Sequence, residues 1–537
     1  MTAPVHNYSE RIPVDWNPEF KDDAIIFGQK ISQVFPNSRL TDTTTFLKKG
    51  DVFVLLPGEN FGVDFLINKI RDKCPYAIVA DKKIRKLSGK LPSYCKAYFW
   101  DNLKDYIGFI AAGFYNNPSD KLDVTAVTGT DGKTTLVNLA AGIFANSLED
   151  CAAIGTLGVV IYRKNQRKQV LQDYSLASLT TPSPVMLQSI FDKLRNEKVG
   201  KVFLEASSIG IITRRLQGTN IKTAVFTNLG SDHLDLHGNL GNLAYSKSQL
   251  FSHPALTNIV FTEKNRSQHS EIHLVYEAIE RSDAKKTPVG IKCFPDKPTN
   301  INSEILIVEK NVSRLGTLVS LIKNDEESEP FLIKIFGKHN LENLSLVAGL
   351  LADDLKASNA ENILGDCKLP EGRFELLDGE NLPLVCIDYA HTPESLKVTL
   401  QTLDRLKEKK SSNLICVFGC GGNRDINKRP IMGKIAASCA DRGYITSDNP
   451  REEPIDKISR EILSGICVKR KSDWFLIPDR RKAIEAAITK ADKDDIVLIA
   501  GKGHEKTQLI NGVLFEFCDK SVVEDLIRKG INSCQRL

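Results

Sequence analysis

Short apolar runs separated by amphipathic segments recur along the whole chain. In the first hundred residues, the runs DVFVLLPG (51–58) and YAIVAD (76–81) flank the helix-like stretch DFLINKIRDK (64–73). Apolar runs of this length are typical of buried strands, and strands that alternate with helices predict a mostly parallel sheet. The first section is therefore predicted to be a small βαβ-type unit.

A polar string and a new series of apolar runs mark further sections. The string NNPSDK (116–121) has the composition of a linker, and it directly precedes the apolar run LDVTAVTG (122–129). Apolar runs and helical segments then alternate to about residue 360, and another series of strand-like runs begins near residue 369. We predict an α/β fold with three domains at residues 1–118, 119–360 and 361–537, of which the last is doubly wound and Rossmann-like.

The composition narrows the class of protein. The chain has 537 residues, of which 42% are hydrophobic and 26% are charged, as in ordinary water-soluble globular proteins. Its formal net charge is +5 without a long basic block, so no nucleic-acid partner is expected. The apolar run at 106–115 is too short to cross a bilayer. Because the N-terminus lacks a signal-peptide pattern and the 12 cysteines are irregularly spaced, we expect a cytoplasmic protein with reduced thiols and no membrane insertion.

The segment TAVTGTDGKTT (125–135) predicts a phosphate-binding loop. A β-branched strand leads into a glycine-containing turn, which is followed by Lys133, Thr134 and a helix. Gly129 and Gly132 allow successive backbone N–H groups to point at phosphate oxygens, where the helix dipole also favours negative charge. Lys133 is expected to reach the β- and γ-phosphates of a nucleotide, and the Thr134 hydroxyl is expected to bind Mg²⁺.

Candidate metal ligands follow two later strand-like runs. Glu205 ends the apolar part of VFLEASS, and Asn228, Asp232 and His233 lie in FTNLGSDHLDLHG. Because parallel strands bring their carboxyl ends to one edge of a sheet, Glu205 and His233 are expected near the phosphate-binding loop. There they suit a second Mg²⁺ beside the γ-phosphate. Taken alone, each residue is also explained by a helix cap or a surface position, and their co-occurrence favours the metal site.

Together these motifs resemble the Mur ligase family. In chain order they are GTDGKTT, GTLG, TTP, EASS, TNLGSDHLDLHG, YSKSQLF, GKHNLEN, EGRFE, DYAHTP, FGCGGNRDINKRP, DNPREEP and AGKGHE. The resemblance implies an N-terminal domain that binds a UDP substrate, a central P-loop ATPase domain with a parallel sheet, and a C-terminal domain that binds an amino acid. It also implies an ATP-dependent ligase of peptidoglycan precursor synthesis that uses ATP and Mg²⁺ and forms an acyl phosphate. Its small-molecule substrates would be UDP-MurNAc-L-Ala-D-Glu and meso-diaminopimelate, and we expect a monomer.

The resemblance also assigns roles to individual residues. The catalytic residues and metal ligands that it implies are Lys133, Thr134, Glu205, His233 and Lys247. Lys247 would be carbamylated and so act as a carboxylate-like ligand of Mg²⁺. The implied ATP-binding residues are Gly129, Thr130, Asp131, Gly132, Lys133, Thr134, Thr135, Asn340, Arg373, Asp388 and His391. The implied UDP-substrate-binding residues are Thr180, Thr181, Ser207 and Arg215.

The string DNPR (448–451) indicates which amino acid is added. It resembles the form of this motif in family members that add meso-diaminopimelate, in which the arginine pairs with the carboxylate at the far end of the side chain. Lysine has no such carboxylate and would leave the charge of Arg451 unpaired, so the diacid is favoured. The implied diaminopimelate-binding residues are Arg424, Asp448, Asn449, Arg451, Gly501 and Glu505.

Three positions depart from the family pattern. Asp131 stands where asparagine is usual, Ile209 stands where histidine is usual, and TDTT around Asp42 replaces the DSR string that helps to hold uridine. Two other readings are a related ligase with L-lysine or a folate-type acceptor, and a catalytically silent binding protein. DNPR argues against lysine, and the N-terminal domain argues against a folate-type acceptor. A silent protein is disfavoured because the site residues are intact, namely Lys133, Thr134, Glu205, His233 and Lys247.

Overall fold

The computed structural model describes residues 11, 13–56, 63–164, 168–172, 174, 179–230, 232, 234–262, 269–293, 303–380 and 382–529. The chain divides into two compact units. The first comprises Met1–Val289 and Ile301–Glu304, and the second comprises Gly290–Asn300 and Ile305–Leu537. None of the described helices is long and apolar enough to cross a bilayer. None of the described cysteines forms a disulfide bond.

The N-terminal part of the first unit is a four-stranded parallel sheet. Its strands lie in the order β1-β2-β3-β4, with the bounds β1 Leu40–Thr41, β2 Val52–Leu55, β3 Ala77–Asp81 and β4 Lys96–Trp100. The helices are α1 Lys21–Val34, α2 Val63–Lys73 and α3 Leu103–Phe114. The predicted strands are confirmed at 52–55 and 77–81, as is the helix between them, and residues 57–58 of the first run lie outside the described residues. Residues 106–114 of the apolar run at 106–115 lie within α3, whose residues are mostly buried, so this run is part of a core helix.

The rest of the first unit is built on a larger sheet. Its strands are β5 Asp123–Thr128, β6 Cys151–Gly155, β7 Gly158–Tyr162, β8 Lys168–Val170, β9 Lys201–Glu205, β10 Ile221–Phe226, β11 Asn258–Thr262 and β12 Lys285–Lys292. The spatial order is β12-β11-β10-β5-β9-β6-β7-β8, and pairing is parallel from β12 to β6. The helices are α4 Lys133–Ser147, α5 Pro184–Asn196, α6 Ser208–Ile212, α7 Leu234–His237, α8 Leu240–Ser248 and α9 His273–Arg281. Because β5 pairs with β9 and β10 in parallel, the residues that follow these three strands lie at one edge of the sheet.

The second unit opens with antiparallel strands. They are β13 Ile305–Ser313, β14 Gly316–Lys323, β15 Glu326–Glu327 and β16 Phe331–Ile333, and β14 pairs with each of the other three. Two helices follow, α10 Lys338–Leu350 and α11 Ala360–Leu364.

A six-stranded sheet forms the remainder of the second unit, in the order β17-β18-β22-β19-β20-β21. Its strands are β17 Glu375–Leu377, β18 Leu384–Asp388, β19 Leu414–Phe418, β20 Arg442–Ile445, β21 Trp474–Leu476 and β22 Ile496–Ala500, with a separate hairpin of β23 Thr507–Ile510 and β24 Val513–Glu516. Only the β17 pairing is antiparallel in this sheet among the described residues. The helices are α12 Pro393–Asp404, α13 Lys428–Cys439, α14 Ile455–Ser464, α15 Arg480–Thr489 and α16 Asp519–Lys529.

Helices cover both faces of this six-stranded sheet, which explains why its central strands are continuous apolar runs in the sequence. One hydrophobic cluster joins the sheet to α12, α13 and α14, and another joins it to α15 and α16. Every residue of β18, β19 and β22 is buried, as expected for central parallel strands that are covered on both sides. The predicted α/β class and the doubly wound C-terminal sheet are confirmed. The domain boundaries at residues 118 and 360 stay predictions.

Candidate active site

The loop between β5 and α4 has the conformation that the sequence predicts. Gly129 has φ = 149° and Gly132 has φ = 86°, values that side chains rarely tolerate, and α4 begins at Lys133. A Cβ atom at Gly129 would lie 1.8 Å from Oγ1 of Thr227, so glycine is required there for steric reasons as well. The predicted strand, glycine turn and helix are therefore confirmed.

Two lysine side chains converge on this loop. Nζ of Lys133 donates hydrogen bonds to the carbonyl oxygens of Gly129 and Thr130, both at 2.8 Å. Nζ of Lys247, in α8, donates to the same Gly129 oxygen at 2.7 Å. Burial, and secondarily the charge of Lys133, lower the pKa of Lys247 well below its usual value. The structure thus brings together Lys133 and Lys247, the two lysines that the family resemblance implies for the catalytic site.

Glu205 lies at the end of β9, next to the phosphate-binding loop. Its side chain is 1% exposed, and its Oε2 accepts a hydrogen bond from Oγ1 of Thr134 at 3.0 Å. Thr156 donates to the same carboxylate twice, from its backbone N–H at 2.8 Å and from its hydroxyl at 3.2 Å. The expected proximity of Thr134 and Glu205 is present. Thr156 was not among the predicted residues, although it belongs to the GTLG motif.

Backbone contacts fix the remainder of the loop. Asp131 donates its N–H to Oδ1 of Asn228 at 2.9 Å, and the Asp131 carbonyl accepts from Nδ2 of Asn228 and from Oγ1 of Thr227. His233, a predicted metal ligand, lies outside the described residues. Among the residues that are described, no group of three or more His, Cys, Asp and Glu side chains could hold a metal ion.

Three of the predicted UDP-substrate residues form one hydrogen-bonded group. Oγ1 of Thr181 donates to the backbone carbonyl of Glu205 at 2.8 Å and lies 3.0 Å from Oγ of Ser207. Nη1 of Arg215 donates to the Thr181 carbonyl at 2.9 Å. Thr180 precedes this group and is half-buried. The group is therefore connected directly to the strand that carries Glu205.

In the second unit, the carboxylate of Asp388 at the end of β18 accepts hydrogen bonds from two backbone N–H groups and one hydroxyl. Its Oδ2 accepts from the N–H of Phe374 at 2.7 Å, and its Oδ1 accepts from the N–H of Ala390 at 3.0 Å and from Oγ1 of Thr399 at 3.1 Å. Phe374 has φ = 43°, so this carboxylate stabilises a strained turn directly after Arg373. The contacts define a structural role for Asp388 that the sequence did not predict.

Of the other predicted ATP-binding residues of this unit, Arg373 and His391 lie together around Tyr389, and Asn340 makes a separate contact. The Arg373 guanidinium lies 4.3 Å from the ring centroid of Tyr389, and the rings of His391 and His504 contact the same tyrosine. Burial lowers the pKa of His504 to about 4, so its ring is neutral at pH 7. Asn340, in the first turn of α10, donates to the carbonyl of Phe336 at 2.9 Å.

The predicted amino-acid pocket lies where β19, β20 and β22 end. Nδ2 of Asn449 donates to Oε2 of Glu505 at 2.8 Å, and the fully buried Lys502 donates to Oε2 of Glu505 and Oδ1 of Asn449. A Cβ atom at Gly501, where φ is 111°, would lie 2.7 Å from Oδ2 of Asp448. Four of the six predicted residues are thus adjacent. Lys502 was missed, because a lysine in a GKGHE string is equally compatible with an exposed position.

The two predicted arginines both lie close to Gly421, in the loop after β19. Nη1 of Arg451 donates to the carbonyl of Gly422 at 2.8 Å. Burial, and secondarily the nearby Arg424 guanidinium, lower the pKa of Arg451. In the part of the chain that the structure describes, neither Arg424 nor Arg451 forms an ion pair with a carboxylate. Asp448 and Glu505 are near enough to raise the pKa of Arg451 in part, but they form no ion pair with it, so the two guanidinium groups remain able to bind an anionic ligand.

Sequence comparisons agree with this geometry. Residues 127–351 match the Mur ligase middle domain, and residues 372–503 match the glutamate ligase domain of Mur ligases. The chain is 32% identical over 488 residues to the UDP-N-acetylmuramoyl-L-alanyl-D-glutamate--2,6-diaminopimelate ligase of Janthinobacterium sp. (strain Marseille), which covers 90% of this chain and 93% of that protein. The chain belongs to the Mur ligase family. A ligase of the same name from Coxiella burnetii shares 32% identity with this Mur ligase over 478 residues, covering 88% of this chain and 92% of that one.

Solved structures of Mur ligases share the fold. A structure of UDP-N-acetylmuramoyl-L-alanyl-D-glutamate--2,6-diaminopimelate ligase superposes with a TM-score of 0.58 at 27% identity, covering 91% of this Mur ligase and 94% of the solved chain. MurF ligase from Thermotoga maritima in complex with ADP gives a TM-score of 0.63 at 16% identity, with coverage of 92% and 98%. At that identity the second likeness concerns the fold alone.

Proposed function

We propose that this Mur ligase joins meso-diaminopimelate to UDP-MurNAc-L-Ala-D-Glu at the expense of ATP. The observation that carries the proposal is the pair of neighbouring guanidinium groups of Arg424 and Arg451, neither of which forms an ion pair with a carboxylate among the described residues. An amino acid with a second carboxylate neutralises them, whereas lysine does not. The relatives that bear the name of this activity align over almost the full length of the chain, which supports the same assignment.

The phosphate-binding loop supplies the first chemical step. Lys133 supplies a basic group at the loop, and the backbone N–H groups at the start of α4 lie in the same region. The γ-phosphoryl group of ATP is transferred to the D-glutamate carboxylate, which yields ADP and an acyl phosphate. Positive charge at this loop offsets the repulsion between the two anions that react.

The residues around Glu205 fit a bound Mg²⁺. Oγ1 of Thr134 and Oε2 of Glu205 lie 3.0 Å apart, and Mg²⁺ prefers such oxygen ligands together with substrate phosphates. Thr134 and Glu205 would hold the ion, and His233 and a carbamylated Lys247 stay predictions as further ligands. When bound, Mg²⁺ neutralises phosphate charge during transfer.

The second step uses the amino-acid pocket. The amine of the incoming amino acid attacks the acyl carbon, phosphate leaves with the electrons of the C–O bond, and the new amide forms after the amine loses a proton. Glu505 and Asp448 suit the ammonium group that does not react, and Arg424 and Arg451 suit the far carboxylate. Arg373 and His391 stay predictions for ATP contacts, as do Thr180, Thr181, Ser207 and Arg215 for the UDP substrate. The cytoplasmic location and the monomeric state also stay predictions.

Phosphate release with different amino acids tests the proposal. Purified enzyme with ATP, Mg²⁺ and UDP-MurNAc-L-Ala-D-Glu is expected to release phosphate much faster with meso-diaminopimelate than with L-lysine or L-glutamate. Arg451→Gln should raise the KM for meso-diaminopimelate and leave the KM for ATP unchanged. Equal rates with diaminopimelate and lysine would overturn the substrate assignment, and no phosphate release with any acceptor would support a silent binding protein.

A further inference from the structure

Arg429, in the first turn of α13, is a completely buried guanidinium beside the amino-acid pocket. Its exposed fraction is 0%. Its Nη1 and Nη2 atoms bind both oxygens of Glu453, at 3.0 and 2.7 Å, and Nη1 also binds Glu461. Nη2 donates in addition to the carbonyl of Gly421 at 3.1 Å. A bidentate pair of this kind is directional, so it fixes position as well as charge.

These contacts join the two segments that carry the pocket arginines. Gly421 lies in the loop after β19, three residues before Arg424, and Glu453 lies two residues after Arg451. Oε2 of Glu453 also accepts a hydrogen bond from the N–H of Asn423 at 3.1 Å. Arg429 and Glu453 therefore bind the loop of Arg424 to the turn of Arg451.

The two pocket arginines are packed against the same loop. A Cβ atom at Gly421 would lie 2.9 Å from Nη1 of Arg451 and 3.7 Å from Cγ of Arg424. Their like charges repel each other, so other contacts must keep the two segments together before a ligand binds. Hydrogen bonding from Arg429 is the main cause that lowers the pKa of Glu453 to about 2, so Glu453 stays ionised and paired at neutral pH.

We propose that Arg429 is a positioning residue that, through Glu453 and the Gly421 carbonyl, sets the separation of Arg424 and Arg451 and so the selectivity for an amino acid with a second carboxylate. The inference rests on the proposed function and adds to it a residue that does not touch the substrate. A lysine at this position keeps the charge but cannot bind both Glu453 oxygens and the carbonyl in one plane. The two guanidinium groups would then be held less firmly.

Steady-state kinetics of Arg429→Lys and Glu453→Gln test this inference. We expect the KM for meso-diaminopimelate to rise about tenfold or more, because small displacements of binding groups have large kinetic effects. The KM for ATP should stay unchanged. The ratio of kcat/KM for diaminopimelate to that for lysine should fall by a similar factor, because lysine does not use the guanidinium pair.

Glu309→Gln is the matched control. Glu309 is 1% exposed on its side chain and pairs with Arg405 in the same unit, far along the chain from the pocket motifs. This variant should lose thermal stability, as should Arg429→Lys, but keep the selectivity ratio. A wild-type ratio in folded Arg429→Lys, or an equal fall of the ratio in Glu309→Gln, would overturn the inference.

Calorimetric titration with glutarate separates this inference from the proposed function. If the wild-type enzyme releases no phosphate with any amino acid, the proposed function fails, yet glutarate still probes the two guanidinium groups directly. Weaker glutarate binding by Arg429→Lys, but not by Glu309→Gln, supports the positioning role. Unchanged binding by Arg429→Lys contradicts it.

Discussion

Replacing Glu205 by glutamine should separate catalysis from stability. The wild-type carboxylate accepts hydrogen bonds from the Thr134 hydroxyl and from the N–H and hydroxyl of Thr156. Glutamine retains one acceptor oxygen for the Thr156 N–H and turns an NH₂ group toward the two hydroxyls. Because hydroxyl groups can rotate and accept instead of donate, the hydrogen bonds are preserved in reversed direction.

The expected magnitudes follow from this geometry. The free energy of unfolding should fall by only about 1 kcal/mol, because the reversed hydrogen bonds are somewhat weaker than the original ones and a typical hydrogen bond contributes about 1 kcal/mol net. The activity should fall much more, since the substitution removes the negative charge proposed to hold Mg²⁺ at a site with almost no access to water. Loss of one such electrostatic group lowers kcat by about 10²–10³-fold.

Phosphate release and thermal unfolding of the same preparation measure the two effects. Thr156→Val is the matched control, because it removes a hydroxyl that contacts Glu205 and leaves the charge and the backbone hydrogen bond in place. It should keep most of the activity. Wild-type turnover in Glu205→Gln would refute the metal-binding role. A large loss of stability in that variant would refute the argument that the hydroxyls can reverse.

Three further predictions concern other buried groups. His253, whose pKa burial lowers from 6.5 to about 4, stabilises the fold above pH 6.5, and this stability is lost as the pH falls toward 4. The free energy of unfolding, measured with a chemical denaturant, should thus be about 2 kcal/mol lower at pH 5 than at pH 7 because of this residue. His253→Gln should make the difference between the two pH values smaller. In Gly155→Ala, the new Cβ would lie 2.1 Å from Oε1 of Glu205, so we expect lower turnover and a stability loss of about 1–3 kcal/mol in thermal unfolding. Asp388→Asn should destabilise the protein by about 1–3 kcal/mol. The asparagine oxygen can still accept from Ala390 and Thr399, but the new NH₂ group cannot accept the N–H of Phe374, which is left without a partner. Full retention of thermal stability would contradict that account.

The phosphate-binding loop could be predicted from the sequence because its determinants are local. A β-branched strand, glycines at two fixed positions, and a lysine that opens a helix all lie within eleven residues, and the structure has the strand, the positive φ angles and the helix start that they predict. Glu205 could be placed near the loop by a further rule, since parallel strands align their carboxyl ends. Lys247 followed from the family resemblance alone.

The supporting contacts of the amino-acid pocket could not be predicted in the same way. Arg480 binds Asp519 across 39 positions of sequence and also donates to the carbonyls of Ser447 and Ala500, immediately before Asp448 and Gly501. Arg429 binds Glu453 across 24 positions. Nothing in the local pattern distinguishes these buried arginines from exposed ones, because their burial depends on which strands become neighbours.

The buried carboxylates of Glu205 and Asp388, each at the end of a strand, differ in the kind of hydrogen-bond donor that they accept from. This difference decides whether a ligand can bind to them. Glu205 is held partly by hydroxyl hydrogens, which can turn to other acceptors when a cation or phosphate arrives. Asp388 accepts one hydroxyl hydrogen, from Thr399, but it also accepts two backbone N–H groups, whose direction is fixed, where Glu205 accepts one; one of the two belongs to the strained residue Phe374. To contact a nucleotide through the same lone pairs, Asp388 would have to leave a buried N–H without an acceptor, at a cost of about 1–3 kcal/mol. The partners of a buried acid therefore indicate its role better than its position in a motif does. By this criterion Glu205 is suited to bind a ligand, whereas Asp388 is suited to hold the turn that presents Arg373.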